Sequence, residues 1–334
     1  MDYHQPIALG DGIPLAGGPL RFARALVLAR GAPPRVVAAE ALPDTALAAL
    51  TGPRASIAGL PTGRTGIMGI LNVTPDSFSD GGRHAAPDVA IAAARAMAAA
   101  GADIVDIGAE STRPGAQAVD LATESARLAA VLPGLVGVNW SIDTRKAAIM
   151  GQALDAGAAL VNDVSALGLD PAAMALVAAR GCPVVLMHAQ GSPVSMQAAP
   201  VYADALLDVY DWLAARIAAC VAAGVARDRI IADPGIGFGK TLAHNLALLR
   251  GLTLFHGLGV PLLLGASRKA LIGRLAGLDG AGAEPATAAP PDARLPGSLA
   301  LALHAAASGV QLVRVHDVPE TVQALAVWRA VQQA

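Results

Sequence analysis

The chain has 334 residues, 54% of them apolar, 15% charged and 3% aromatic, with a formal net charge of −2. So low a charged fraction excludes a disordered chain, and the near-neutral balance excludes an overall basic field for nucleic acid, so any anion site must be local. The mean hydropathy of +0.51 comes mostly from alanine; no run reaches the roughly 18–20 charge-poor apolar residues of a membrane span, and residues 88–102 are interrupted by Arg95.

The first twelve residues, MDYHQPIALGDG, carry an acid at position 2 and no basic stretch ahead of an apolar one, which argues against a secretory signal and for the cytoplasm. Residues 1–64 are rich in Pro, Gly and Ala, with one strand-like run at 25–28 and a short helix at 44–50. They read as an N-terminal extension packed on the rest of the chain, residues 65–334.

From residue 66 a single rhythm sets in. Short apolar runs at 66–71, 102–107, 138–142, 159–161, 183–187, 229–232, 260–264 and 311–313 alternate with alanine- and leucine-rich helical stretches at 89–100, 121–132, 147–156, 172–179, 203–223 and 242–250. Such alternation means βαβ units and a parallel sheet, whose buried strands read as continuous apolar runs. Eight strands predict an α/β fold of the closed (β/α)8 TIM barrel type. A doubly wound sheet would show a glycine-rich fingerprint after its first strand, and the chain beyond residue 71 has none. The low-complexity stretch 276–294 reads as a long, mobile loop after the seventh strand. Cys182 and Cys220 stand far apart with no metal-ligand spacing and read as small buried hydrophobes.

The residues at the end of each apolar run are the informative ones. In chain order the run ends are Asn72 to Gly82, Glu110-Ser111-Thr112-Arg113-Pro114-Gly115, Asp143-Thr144-Arg145-Lys146, Asn162-Asp163, His188, Asp233-Pro234-Gly235, Ser267-Arg268-Lys269 and Arg314-Val315-His316. A single Asn or Asp there is ordinarily the cap of the next helix. Eight polar strand ends in a charge-poor chain instead mark the catalytic face of a barrel. Arg314 and His316 share one face of their strand, while Val313 and Val315 face the other way.

The run Gly235-Ile-Gly237-Phe-Gly239-Lys240-Thr241 fails the phosphate-loop pattern, because Pro234 stands where that pattern needs glycine. It reads as a backbone-permissive loop beside a ligand. Asp143, Asn162 and Asp233 suit a planar ligand edge with several N–H donors. Arg113, Lys269, Arg314 and His316 suit a phosphate or diphosphate. Asn72 is a neutral oxygen ligand of the kind Mg2+ takes beside substrate phosphates and water.

The sequence resembles the dihydropteroate synthase family of pterin-binding barrels. The likeness runs through GILNVTPDSFSDGG (69–82), ESTRPG (110–115), SIDTRKA (141–147), NDVSA (162–166), LMHAQG (186–191), ADPGIGFGKT (232–241), GASRK (265–269), GSLA (297–300) and RVHDVPETVQAL (314–325). The resemblance implies condensation of a pterin methyl diphosphate with 4-aminobenzoate, with Mg2+ as cofactor and a homodimer as the working form. It implies that Asn72 holds the metal, that Thr112, Arg113, Arg314 and His316 grip the diphosphate, and that Asp143, Asn162, Asp233 and Lys269 surround the pterin. Phe238, Pro114 and Phe78 correspond to aminobenzoate contacts, and the segments 74–84 and 111–118 to a mobile pair of loops. Asp143, Lys269, Arg314 and His316 are the expected catalytic set.

The sequence departs from the family pattern in places. Ala270 replaces a common serine, Val194 a common basic residue, and Ala166 a frequent glycine. A corrinoid-linked methyltransferase on the same barrel would lack the Arg314-x-His316 pair and the LNVTPDSF segment. A non-catalytic pterin binder would have lost Asn72, Arg113 or Lys269.

Overall fold

The structure is a computed structural model that describes residues 1–73, 86–111, 117–191, 196–276 and 289–333. The N-terminal part forms a three-stranded antiparallel sheet of order β1-β2-β3, with β1 Asp2–Pro14, β2 Arg21–Ala29 and β3 Ala32–Ala38, and α1 Asp44–Thr51 comes after it. The sequence predicts only the central strand. Both edges carry Pro, and β1 carries Gly as well (Pro6, Gly10, Gly12 and Pro14 on β1, Pro33 and Pro34 on β3), which edge strands tolerate and which hide the alternating pattern. Leu15, Phe22, Ala25, Val27, Leu42 and Leu50 form a small core of their own. Tyr3 donates to Asp211 at 2.8 Å, and Arg30 pairs with Asp208 and Asp211 at 2.7 Å each, tying the sheet to the body of the molecule.

The body is a parallel eight-stranded sheet of order β10-β11-β4-β5-β6-β7-β8-β9. Its strands are β4 Gly66–Asn72, β5 Ile104–Gly108, β6 Trp140–Asp143, β7 Leu160–Asp163, β8 Val184–Met187, β9 Ile230–Asp233, β10 Leu263–Leu264 and β11 Leu312–Val315. A parallel bridge between Ala232 and Leu262 joins the two ends and closes the barrel. The predicted run 260–264 shrinks to the two-residue strand Leu263–Leu264 and the bridge at Leu262, because Pro261 has no N–H to give the ladder. The helices around it are α2 Ala86–Ala99, α3 Leu121–Ala129, α4 Ala147–Asp155, α5 Ala173–Arg180, α6 Ala205–Ala222, α7 Leu242–Arg250, α8 Ala270–Ala276, α9 Leu295–Ala307 and α10 Val318–Gln333. None of the described helices is long and apolar enough to cross a membrane. Cys182 and Cys220 are buried and unpaired. The expected mobile loop at 276–294 lies largely outside the described residues; its end is a short 3-10 turn, Pro291–Arg294.

Strand side chains alternate, so each strand feeds two cores. Outward residues such as Val105, Ile107, Ile142, Val161, Val313 and Val315 pack against the helices. Inward residues Met68, Ile104, Leu160, Val185, Ile231, Leu263 and Leu312 fill the barrel floor, which Ile57 and Leu60 plug from below. Two residues further along β5, β7, β9 and β11 the inward positions turn polar, as Asp106, Asn162, Asp233 and Arg314, and the site begins there.

Candidate active site

At the centre of that polar layer is Asp106, fully buried on β5. Its carboxylate accepts from Ser141 Oγ at 2.6 Å, Asn162 Nδ2 at 2.8 Å and Arg314 Nε at 2.6 Å. Arg314 also donates through Nη2 to Asp143 Oδ2 at 2.8 Å. Burial pulls the guanidinium pKa down, but the charges of Asp106 and Asp143 outweigh it and hold Arg314 above its usual range. Four strands, β5, β6, β7 and β11, thus meet through one carboxylate. Sequence reasoning misses Asp106 and Ser141; an acid inside the otherwise apolar run 102–107 is the signal that marks Asp106.

Asp143 keeps one oxygen in reserve. Its Oδ1 is buried with no hydrogen-bond partner among the described residues. Burial raises its pKa, against the pull of Arg314 and with a push from Asp106. Across the opening, Asp233 ends β9, and burial raises its pKa against the pull of Lys269. One Asp233 oxygen accepts from Gly235 N at 2.7 Å. A Cβ placed on Gly265, after β10, would lie 3.8 Å from both Asp233 Oδ2 and Arg314 Cβ, so the absence of a side chain there keeps the space between them open.

Lys269 comes from the loop after β10. Its ammonium donates to Ile236 O and lies 4.6 Å above the centre of the Phe238 ring. Burial lowers its pKa to about 8, with Asp233 resisting and Arg314 adding to the fall. Such a cation is held in place and only partly offset by its neighbours. His316 comes directly after β11, where Ser267 Oγ lies 3.1 Å from its Nδ1 and accepts from its backbone N–H at 3.2 Å. Arg268, between Ser267 and Lys269, has a positive φ of 56° and is braced by Asp317 through Nε at 3.1 Å and through Nη2. Asn72 ends β4 beside Gly108 of β5.

The polar strand ends divide into two groups. Asn72, Asp143, Asn162, Asp233, Lys269, Arg314 and His316 gather at the mouth of the barrel, where Phe238 joins them from the loop after β9. Arg145 and Lys146 do not. They pair with Glu110 at 2.8 and 2.9 Å, and Lys146 also meets fully buried Glu124, so they tie the loops after β5 and β6 together. Asp163 also serves its own loop, accepting from Ser165 N at 2.7 Å and Leu167 N at 2.8 Å. Those bonds hold Ala166 and Leu167 at positive φ of 52° and 61°, a conformation glycine adopts without strain. Thr112, Arg113, Pro114, Phe78 and Val194 lie outside the described residues. So do residues 74–84 and most of 111–118.

The described residues contain no group of three or more His, Cys, Asp or Glu able to hold a metal. A cation at Asn72 would therefore take most of its ligands from phosphate oxygens and water, as Mg2+ does. The buried acceptors fit a flat ring edge rich in N–H groups, and the cations beside them fit an anion.

Fold and mouth together define a (β/α)8 barrel that takes a donor-rich heterocycle. Residues 68–316 match the family model described as Pterin binding enzyme. The chain is 44% identical to the dihydropteroate synthase of Escherichia coli (strain K12) over 80% of this chain and 92% of that protein. It superposes with a TM-score of 0.74 on Xanthomonas albilineans dihydropteroate synthase bound to 4-aminobenzoic acid, at 46% identity, covering 81% of this chain and 94% of that one. The complex of that species' enzyme with 7,8-dihydropteroate gives 0.73 at 42% identity, covering 84% and 100%. The chain belongs to the pterin-binding enzymes and, within them, to the dihydropteroate synthase family.

Proposed function

We propose that this enzyme condenses (7,8-dihydropterin-6-yl)methyl diphosphate with 4-aminobenzoate to give 7,8-dihydropteroate and diphosphate. The observation that carries the reading is the buried, unpartnered Oδ1 of Asp143 on the same rim as Asn162 and Asp233. A buried acceptor left without a donor costs on the order of 1–3 kcal/mol, and a pterin edge relieves it. Asp143, Asn162, Asp233 and Lys269 hold the ring. Thr112, Arg113, Arg314 and His316 hold the diphosphate. Phe238, Pro114 and Phe78 contact the aminobenzoate. Bound at Asn72, Mg2+ would neutralise charge on the diphosphate.

In the reaction the methylene C–O bond breaks with its electron pair leaving on diphosphate, the amine nitrogen forms the C–N bond, and its proton passes to solvent. The aromatic amine is already neutral near pH 7, so no general base is needed to free its lone pair. The protein's share is leaving-group stabilisation by Thr112, Arg113, Arg314 and His316; one lost donor of this kind commonly costs about 3 kcal/mol. Asp143 and Asp233 offset positive charge that develops on the pterin methylene, which favours an SN1-like course. A carbon isotope effect at the methylene as large as in a concerted displacement would refute that course.

The same reading makes residues 1–64 an extension packed on a catalytic barrel of residues 65–334, and the working form a cytoplasmic homodimer. Val327 and Val331, exposed on α10, offer an apolar pair for the second copy, and sedimentation equilibrium distinguishes dimer from monomer. The deciding experiment is diphosphate release by the purified protein with both substrates and Mg2+. Stoichiometric dihydropteroate is the expected product, and no product at any Mg2+ level overturns the reading.

A further inference from the structure

The loop between β9 and α7 contains a buried ammonium that the condensation does not use. Lys240 is only 3% exposed. Its Nζ donates to Gly235 O at 2.9 Å and Phe238 O at 3.0 Å, and lies 2.9 Å from Nδ1 and 3.3 Å from the carbonyl of His188. An ammonium has three N–H groups, and these four acceptors surround them. Lys240 is therefore no anion ligand, although it occupies the position in the glycine-rich run where a phosphate-binding lysine would be sought.

The rest of the loop shows what the ammonium does. Gly235 and Gly239 have φ of 67° and 61°, and a Cβ on either would lie 1.9 Å from His188 O or 2.3 Å from Gln190 O. The loop is thus wrapped against the end of β8 in a shape only glycine permits at those positions. Wrapping turns the carbonyls of 235–239 toward side chains. Lys240 takes those of Gly235 and Phe238, Lys269 that of Ile236, Gln197 that of Gly237 at 2.5 Å, and Tyr202 that of Gly239 at 2.8 Å. Two of the five carbonyls accept from Lys240, that of Gly235 also taking the Phe238 N–H at 3.2 Å, and they bracket the turn that carries Phe238.

We propose that Lys240 is a positioning residue: its ammonium draws the Gly235 and Phe238 carbonyls and the end of β8 together, and so fixes the Phe238 ring beside Lys269 at the second-substrate side of the mouth. The Asp233 backbone is held by its place in the β8–β9 ladder, and its carboxylate meets the loop through the Gly235 N–H at 2.7 Å. Loss of the ammonium therefore loosens Phe238 and leaves the acceptors on β6 and β7, Asp143 and Asn162, in place through Arg314 and Asp106. The groups facing Lys240 are His188, Asp233 and Lys269. The His188 ring is neutral, its pKa lowered to about 3 by burial and then by Lys240 itself.

The proposal rests on the reading of Phe238 as an aminobenzoate contact, and the test separates the two. Lys240→Met keeps an unbranched side chain, one atom shorter, and removes every donor. The expected result is a KM for 4-aminobenzoate raised about tenfold or more, with the pterin diphosphate dissociation constant, read by calorimetry, within about twofold of the parent. An unchanged KM in an active protein overturns the role of Lys240. A fall in pterin affinity of the same size also overturns it, since that marks general loosening. An inactive parent enzyme overturns the reading of the site instead. If Lys240→Met does not fold, Lys240→Gln, which keeps an amide donor, is held to the same KM-against-affinity split with a smaller rise.

Discussion

The floor and the rim of the barrel are built from adjacent inward positions on the same strands, about 7 Å apart along the chain. On β5, β7, β9 and β11 the pairs are Ile104 and Asp106, Leu160 and Asn162, Ile231 and Asp233, and Leu312 and Arg314. The floor is complete in itself: apolar side chains fill it, and Ile57 and Leu60 seal it. The rim is complete only below its surface. Asp106 has donors from Ser141, Asn162 and Arg314, whereas Asp143, one step higher, keeps a buried oxygen without one. Stability and ligand binding are thus divided by a single pleat, with Asp106 on the boundary.

The division can be broken most severely at Asp106. Replacement by Leu raises the apolar floor one step and leaves the Arg314 guanidinium with Asp143 as its one remaining ion-pair partner. Losing one partner of a buried ion pair costs about 3–5 kcal/mol, and urea unfolding should show a loss near about 4 kcal/mol. Adding Arg314→Leu should recover part of it, because the buried charge that has lost one of its two partners then disappears. A single variant that loses less than about 1 kcal/mol would mean that Asp106 does not hold the layer together. A smaller effect is expected one step down. Leu160→Ala opens a cavity in the floor and should cost about 3 kcal/mol, while pterin affinity of the folded protein stays unchanged. Weakened affinity in that variant would show that floor and rim are not separable.

The sequence exposes the rim better than it exposes the partners within it. Asn72, Asp143, Asn162, Asp233, Lys269, Arg314 and His316 each stand where an apolar run ends, so one dimension is enough to find them. Arg314 and Asp106 are separated by 208 residues and meet only because β11, β4 and β5 lie side by side. Neither residue's neighbours in the chain announce the other. Arg145 and Lys146 show the converse: they sit at a strand end like ligand-binding residues, yet Glu110 and Glu124 occupy them. Only packing distinguishes the two cases. Lys240 is visible in the sequence as part of a loop that fails the phosphate-binding pattern, but its burial and its carbonyl cage depend on how 235–239 wraps onto β8. In the N-terminal sheet, only the central β2 shows strand patterning, because proline and glycine on the edges erase it.

The smallest expected effect sharpens the comparison by titration. Burial raises the Asp143 pKa to about 7 against the pull of Arg314, whereas an aspartate in the unfolded chain titrates near about 4. The folded, ligand-free protein therefore holds a proton that the unfolded chain has released. Its contribution to stability is full below about pH 4 and is lost as pH rises toward 7. Binding runs the other way. A pterin edge that donates N–H groups to Asp143 needs the carboxylate, so binding expels the proton, and affinity should climb between about pH 5 and pH 7 and then level off. Calorimetry in buffers of different ionisation enthalpy should record up to one proton released per pterin at pH 6 and progressively fewer toward pH 8. Asp143→Asn should abolish both the release and the slope. If the parent protein released no proton across that range, Asp143 would already be ionised before the ligand arrives. Its open oxygen would then be a charged acceptor held ready by Arg314, and the rim would be as complete in charge as the floor is in packing.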